Sequence, residues 1–178
     1  MKREFKFFLI IFIFIFIFFV FFQGLKENNY YEPYDTLNNE ISNFKSEEFF
    51  SNKEIMFDDV LKNKNLTVLN IWASWCAPCR IEHKYIIQLA NESKINLIGL
   101  NYKDKISNAK DFINEFGNPY NLILIDKHGL NSIELGAYGV PETYIIKNSN
   151  KKIIKKYIGP LNQTKINEIK KILKNEIN

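Results

Sequence analysis

Cysteine and histidine are scarce in this chain, two of each among 178 residues. A structural zinc site of the ordinary kind takes four ligands, and the whole supply here is Cys76, Cys79, His83 and the distant His128. A metal-binding module is therefore the weakest reading, and no metal or organic cofactor is expected. A disulfide scaffold is excluded as well, because a pair separated by two residues closes too short a loop to constrain the unfolded chain much. Charge of one sign is not in large excess. A formal charge of +4 gives no reason to expect a nucleic-acid partner. The late lysines (Lys151, Lys152, Lys155, Lys156, Lys165, Lys170, Lys171 and Lys174) interleave with isoleucines and read as a solvated face. No internal repeat is visible. With 46% hydrophobic residues the chain holds one ordinary domain plus an appendage.

The appendage comes first. Lys2, Arg3 and Lys6 precede an unbroken apolar run from Phe7 to Phe22, and no charge appears before Lys26. At about 1.5 Å per residue that uncharged stretch reaches roughly 28 Å as a helix, close to the hydrocarbon thickness of a bilayer. Cations ahead of it favour an amino terminus that stays in the cytoplasm while the rest crosses. A cleaved signal peptide is the competing reading, but Phe21-Phe22-Gln23-Gly24-Leu25-Lys26 offers no small-x-small cleavage site, which favours residues 1–25 as an uncleaved signal anchor. Residues 26–51 are polar, rich in Asn, Glu and Tyr and without sustained periodicity, and read as a tether. Residues 52–178 form the domain. Its cysteines end up outside the cytoplasm, where thiols tend to be oxidised.

Those two cysteines sit where an apolar, β-rich run (Leu66 to Trp72) gives way to a helical pattern in which Ile81, Tyr85 and Leu89 recur. Cys76 is thus placed at the opening turn of a helix, beside free backbone N–H groups and the positive end of the dipole. A thiolate is favoured there over a thiol, which makes the first cysteine the nucleophile. Cys79, about one turn further in, can close a disulfide with it or resolve a mixed disulfide. Trp75, Ala77 and Pro78 complete the loop. In an exported chain this pair reads as a redox dithiol.

The remaining sequence predicts, in order, a short helix within Glu54 to Lys62 and strands at Ile95 to Asn101, Leu122 to Ile125 and Thr143 to Ile146. The last of these turns at Asn148-Ser149-Asn150 into a hairpin with Ile153 to Ile158. Ser107 or Asn108 caps a helix that buries Phe112, Ile113 and Phe116 and ends at Gly117. Asn162 caps a final helix that carries Ile166, Ile169, Ile172 and Leu173 inward. Strand, helix, strand, helix, strand, hairpin, helix gives an α/β fold with a mixed central sheet flanked by helices. Active groups belong at the carboxyl ends of its parallel strands, where the dithiol is.

Four stretches together carry a resemblance. They are Trp72-Ala73-Ser74-Trp75-Cys76-Ala77-Pro78-Cys79-Arg80-Ile81-Glu82-His83, Gly99-Leu100-Asn101-Tyr102-Lys103-Asp104, Gly117-Asn118-Pro119-Tyr120, and Leu135-Gly136-Ala137-Tyr138-Gly139-Val140-Pro141-Glu142-Thr143. In this order and spacing they resemble the thioredoxin superfamily, and within it the membrane-anchored thiol–disulfide interchange proteins of cytochrome c maturation. The likeness covers about Leu66 to the carboxyl end, together with the anchor. Residues 27–64 do not align readily onto the strands that usually precede the dithiol strand, which leaves the early sheet edge open.

The resemblance implies a thioredoxin-like fold and a role for each matched residue. Cys76 would be the attacking thiolate, Cys79 the buried resolving thiol, and the Cys76–Cys79 disulfide the only redox centre. Pro141 would be a cis-proline facing the dithiol, with the Val140 backbone pairing with an extended client peptide. Taken alone, an X–Pro bond is more often trans. Glu82 matches the family's acidic residue one turn after the second cysteine, and its i, i+3 spacing from Cys79 makes the two neighbours on the helix surface. Where ordinary thioredoxins keep a buried aspartate, this chain has Asn70, so the proton role falls to Glu82. A solvent-exposed helix glutamate is the plainer alternative. Tyr102 and Glu142 belong to the motifs with less defined roles, and hairpin capping explains Glu142 nearly as well. The implied partners are apocytochrome c or a dithiol protein of its maturation system, with a membrane thiol-electron transporter as reductant. The implied location is the bacterial cytoplasmic membrane, the single-pass chain presenting its domain to the periplasm. A broader-range anchored reductase or a disulfide-introducing oxidase has the same chemistry with other clients.

Overall fold

The computed structural model describes residues 2–26 and 37–177, and the chain divides into two units, Met1–Glu32 and Pro33–Asn178. In the first, α1 (Lys2–Lys26) is one continuous helix. Its segment Glu4–Gly24 is long and apolar enough to cross a membrane, with Phe, Ile and Leu side chains exposed all round.

The second unit opens with β1 (Lys45–Glu48), β2 (Glu54–Met56), the short helix α2 (Phe57–Val60) and a 3₁₀ turn at Leu61–Asn63. Then follow β3 (Leu66–Trp72), α3 (Ala77–Ala90), β4 (Ile95–Tyr102), α4 (Ile106–Phe116), β5 (Leu122–Asp126) and α5 (Leu130–Glu134). The chain closes with β6 (Glu142–Lys147), β7 (Lys152–Ile158) and α6 (Gln163–Ile177). One seven-stranded sheet results, in the order β2-β1-β5-β4-β3-β6-β7. β3, β4 and β5 run parallel and the outer pairings are antiparallel, which makes this a thioredoxin-like mixed sheet.

Side chains alternate along each strand, so neighbouring positions serve opposite layers. Val68, Trp72, Leu97, Ile123 and Ile145 face a core completed by Ile86 and Leu89 of α3, Phe112 of α4 and Ile166 and Ile169 of α6. Leu69, Ile71, Leu100, Leu124 and Tyr144 face the other layer, covered by Ile41, Phe44, Phe57, Leu61 and Leu135. Gly99 stands where a side chain does not fit. A Cβ there would lie 2.8 Å from Trp72 Nε1 and 3.0 Å from the Tyr120 ring.

Three expectations are corrected here. Residues 27–36 of the expected tether lie outside the described residues, but the stretch from residue 37 to 51 belongs to the domain. Within it Ile41, Phe44 and Phe49 are buried and β1 pairs with both β2 and β5. β1 reads Lys-Ser-Glu-Glu and has no apolar residue to announce it; backbone pairing and the bond from Ser46 Oγ to Ile125 O (2.8 Å) hold it in place. The short helix expected within Glu54 to Lys62 is present as α2 and its 3₁₀ turn, preceded by β2 at Glu54–Met56. At the start of α4 neither Ser107 nor Asn108 caps, because the N-cap position falls on Lys105, two residues before Ser107, with no side-chain cap. Lys156, read as part of a solvated face, is buried. Asn162 does cap the last helix, its Oδ1 accepting Lys165 N at 2.9 Å.

Candidate active site

Cys76 and Cys79 are joined by a disulfide at the carboxyl end of β3. Cys76 is the N-cap of α3 with extended backbone, and Pro78 occupies the first helical turn, where its missing N–H costs nothing. The Cys76 Sγ accepts the Cys79 backbone N–H at 3.1 Å. Of the two sulfurs, therefore, the one outside the helix receives an amide hydrogen and the positive end of the helix dipole. An amide hydrogen and a helix N-terminus are the surroundings that favour a thiolate over a thiol. Both cysteines are buried, whereas Trp75 beside them is 58% exposed.

Asp104, at the carboxyl end of β4, fixes the loop. It accepts Ser74 N at 2.5 Å and Ser74 Oγ at 2.7 Å, and it also accepts Asn101 Nδ2 at 3.1 Å. The Trp75 indole donates to Lys103 O at 3.1 Å, which brings its ring to 6.4 Å from that of Tyr102. Tyr102 packs in turn over Gly129, where φ is +75° and a Cβ would lie 2.6 Å from the Tyr102 ring.

Glu82 is 1% exposed, so the solvent-exposed alternative does not hold. Its Oε1 accepts Asn70 Nδ2 at 2.9 Å and its Oε2 accepts Leu161 N at 2.7 Å. Asn70 also donates to Thr143 Oγ1 at 3.1 Å and accepts the Tyr120 hydroxyl at 2.8 Å. Burial pushes the Glu82 carboxyl up to about 7, against the opposing pull of the Leu161 and Asn70 hydrogen bonds and the Lys165 charge. Near neutral pH this group can therefore both hold and release a proton. His83 faces Gly117 O at 2.9 Å and packs edge-on against Phe112; burial holds its pKa below the usual imidazole value. Among the described residues no three His, Cys, Asp or Glu side chains gather as a metal cluster would require.

The Val140–Pro141 bond is cis. Glu142 pairs with Ile71, so Pro141 stands level with the end of β3 from which the dithiol loop departs. Val140 packs against the core cluster that contains both cysteines. Glu142 takes the opposite side of the sheet from Thr143. It is fully buried, with Oε1 accepting Tyr138 N (2.6 Å) and Gly139 N (2.9 Å). Its Oε2 accepts the Tyr144 hydroxyl (2.8 Å) and lies 3.2 Å from Lys156 Nζ.

Sequence reasoning named the dithiol, Glu82 and the proline loop, and the fold brings their elements to one end of the sheet. It missed the roles of Asp104, Tyr120 and Thr143 inside motifs already noted. It took Lys156 for a solvated side chain; the signal to the contrary is cross-strand pairing opposite Tyr144, two residues from Glu142.

A redoxin family model matches residues 37–173. The chain is 41% identical over 111 residues to the thiol:disulfide interchange protein CycY of Rhizobium leguminosarum bv. viciae, covering 62% of this chain and 59% of that one. It is 43% identical over 104 residues to the thiol:disulfide interchange protein DsbE of Escherichia coli K12, covering 58% and 55% respectively. The matched region thus spans little more than half the length of these relatives. In fold the chain is similar to the crystal structure of a putative thiol:disulfide interchange protein DsbE from Chlorobium tepidum. There the TM-score is 0.68 at 18% identity, over 80% of this chain and 98% of that one.

Proposed function

The chain belongs to the redoxin family, and from that premise we propose that it is an anchored, extracytoplasmic thiol–disulfide oxidoreductase that reduces disulfides in exported proteins. The reduced Cys76 thiolate attacks one sulfur of a client disulfide. A Cys76–client bond forms, the client S–S bond breaks, and the second client sulfur leaves as thiolate. Cys79 gives its proton to the Glu82 carboxylate and attacks Cys76 Sγ. The Cys76–Cys79 disulfide forms and the first client sulfur is released. The client is reduced and the chain oxidised by the same electron pair, which a membrane thiol transporter then restores. Pro141 and the Val140 backbone hold the client as an extended strand beside the dithiol, with Trp75, Ala77, Pro78 and Tyr102 around it.

The single observation that carries this reading is the Cys76 sulfur at the cap of α3, accepting an amide hydrogen and bonded to Cys79. The DsbE and CycY likeness supports a place in cytochrome c maturation, with the haem-binding C-x-x-C-H of apocytochrome c or a dithiol partner protein as client. The span Glu4–Gly24 supports a single-pass anchor in the cytoplasmic membrane with the domain in the periplasm. Cys79→Ala tests both levels. Removing the resolving thiol should trap a mixed disulfide through Cys76, and mass spectrometry of the adduct should return C-x-x-C-H proteins or a dithiol partner. Adducts with many unrelated exported proteins would make it a broader-range reductase. No adduct at Cys76 would overturn the reading.

A further inference from the structure

Lys156 lies on β7 with its ammonium buried, and a buried charge persists only when paired and hydrogen-bonded. Its Nζ stands 3.2 Å from Glu142 Oε2, donates to Gly136 O at 2.7 Å, and sits 5.3 Å from the centre of the Tyr144 ring. Glu142 Oε1 takes the N–H groups of Tyr138 and Gly139. The pair therefore grips the segment that leads into Pro141 from two directions, a carbonyl at Gly136 through the ammonium and two amides through the carboxylate. Replacing such a pair by apolar residues is often neutral for stability, so stability alone does not explain two charges buried here. Among the described residues no hydrogen bond or ion pair connects them to Cys76, Cys79 or Glu82, which belong to the opposite layer of the sheet.

We propose that Lys156 is a positioning residue for client binding: with Glu142 it sets the geometry of the Gly136–Pro141 loop against which the client peptide lies, and it takes no part in the dithiol chemistry. This rests on the thiol–disulfide exchange reading above. A small disulfide needs only the sulfurs, whereas a peptide disulfide also needs the loop.

The full chain in detergent is assayed with hydroxyethyl disulfide and with a peptide closed by an internal C-x-x-C disulfide. Lys156→Met should raise KM for the peptide by at least about tenfold, as displacement of a positioning element does, and leave the hydroxyethyl disulfide rate within about twofold. Lys156→Arg, which keeps the charge, should restore peptide binding. Should Lys156→Met fail to fold because Glu142 is left unpaired, the Glu142→Gln/Lys156→Met pair removes both charges and should show the same selective loss. Equal losses with both substrates, or wild-type KM in the variants, overturn the proposal. A wild-type chain inert towards both disulfides overturns the exchange reading instead.

Discussion

Asn70 is the residue on which the proton side of the site turns. Its amide donates to Glu82 and Thr143 and accepts from the Tyr120 hydroxyl, so the NH₂ end faces the carboxylate and favours its charged form. Burial opposes this and prevails, leaving Glu82 near 7. The sign of the linkage follows. Between the unfolded value of 4.5 and the folded value of about 7, native Glu82 keeps a proton that the unfolded chain has lost. Stability from this group is full below pH 4.5 and falls as pH rises through 7, by on the order of 3 kcal/mol. Glu82→Gln should remove that slope. Denaturant unfolding of the oxidised protein at pH 5 and pH 8 should show the variant gaining on wild type at the higher pH, and a pH-independent difference would refute the assignment. The spacing of Glu82 from Cys79 was legible in the sequence, as was the amide at Asn70. Their union with Tyr120 and Thr143 was not, because those partners lie 50 and 73 residues from Asn70 and only the sheet brings them in.

At the scale of elements, what places the dithiol is the junction of β3, α3 and the end of β4. Asp104 ties that junction by accepting three hydrogen bonds, two of them from Ser74 just ahead of the cysteines. Asp104→Ala strands a partly buried amide and hydroxyl and should cost about 1–3 kcal/mol of stability. Urea denaturation measures that cost, and a midpoint unchanged from wild type would show the loop to be held by other means. The apolar runs of β3, β4 and β5 were plain in the sequence because strands buried on both faces need no polar alternation. β1 was not, since Lys-Ser-Glu-Glu offers only backbone to its neighbours, and α5, five residues long, has too few turns to show a period. The buried Lys156 is the third case. A lysine among isoleucines looks solvated until its cross-strand diagonal, Glu142, is known.

At the scale of the whole domain, the buried carboxylates Glu82 and Glu142 serve opposite layers of one sheet. Glu82 and its amide network lie on the α3 side, and Glu142 with Lys156 on the other. Adjacent residues of β6 divide between them, Thr143 reaching Asn70 and Glu142 reaching Lys156. The two networks are thereby kept apart, although both belong to the end of the sheet that carries the disulfide. Everything chemical in this arrangement presupposes that the opening turn of α3 makes Cys76 the acidic sulfur. The most direct measurement is the alkylation rate of Cys76 in full-length Cys79→Ala as a function of pH. A midpoint clearly below the roughly 8.5 of free cysteine is the expected result, and a midpoint at the free-cysteine value would contradict the account.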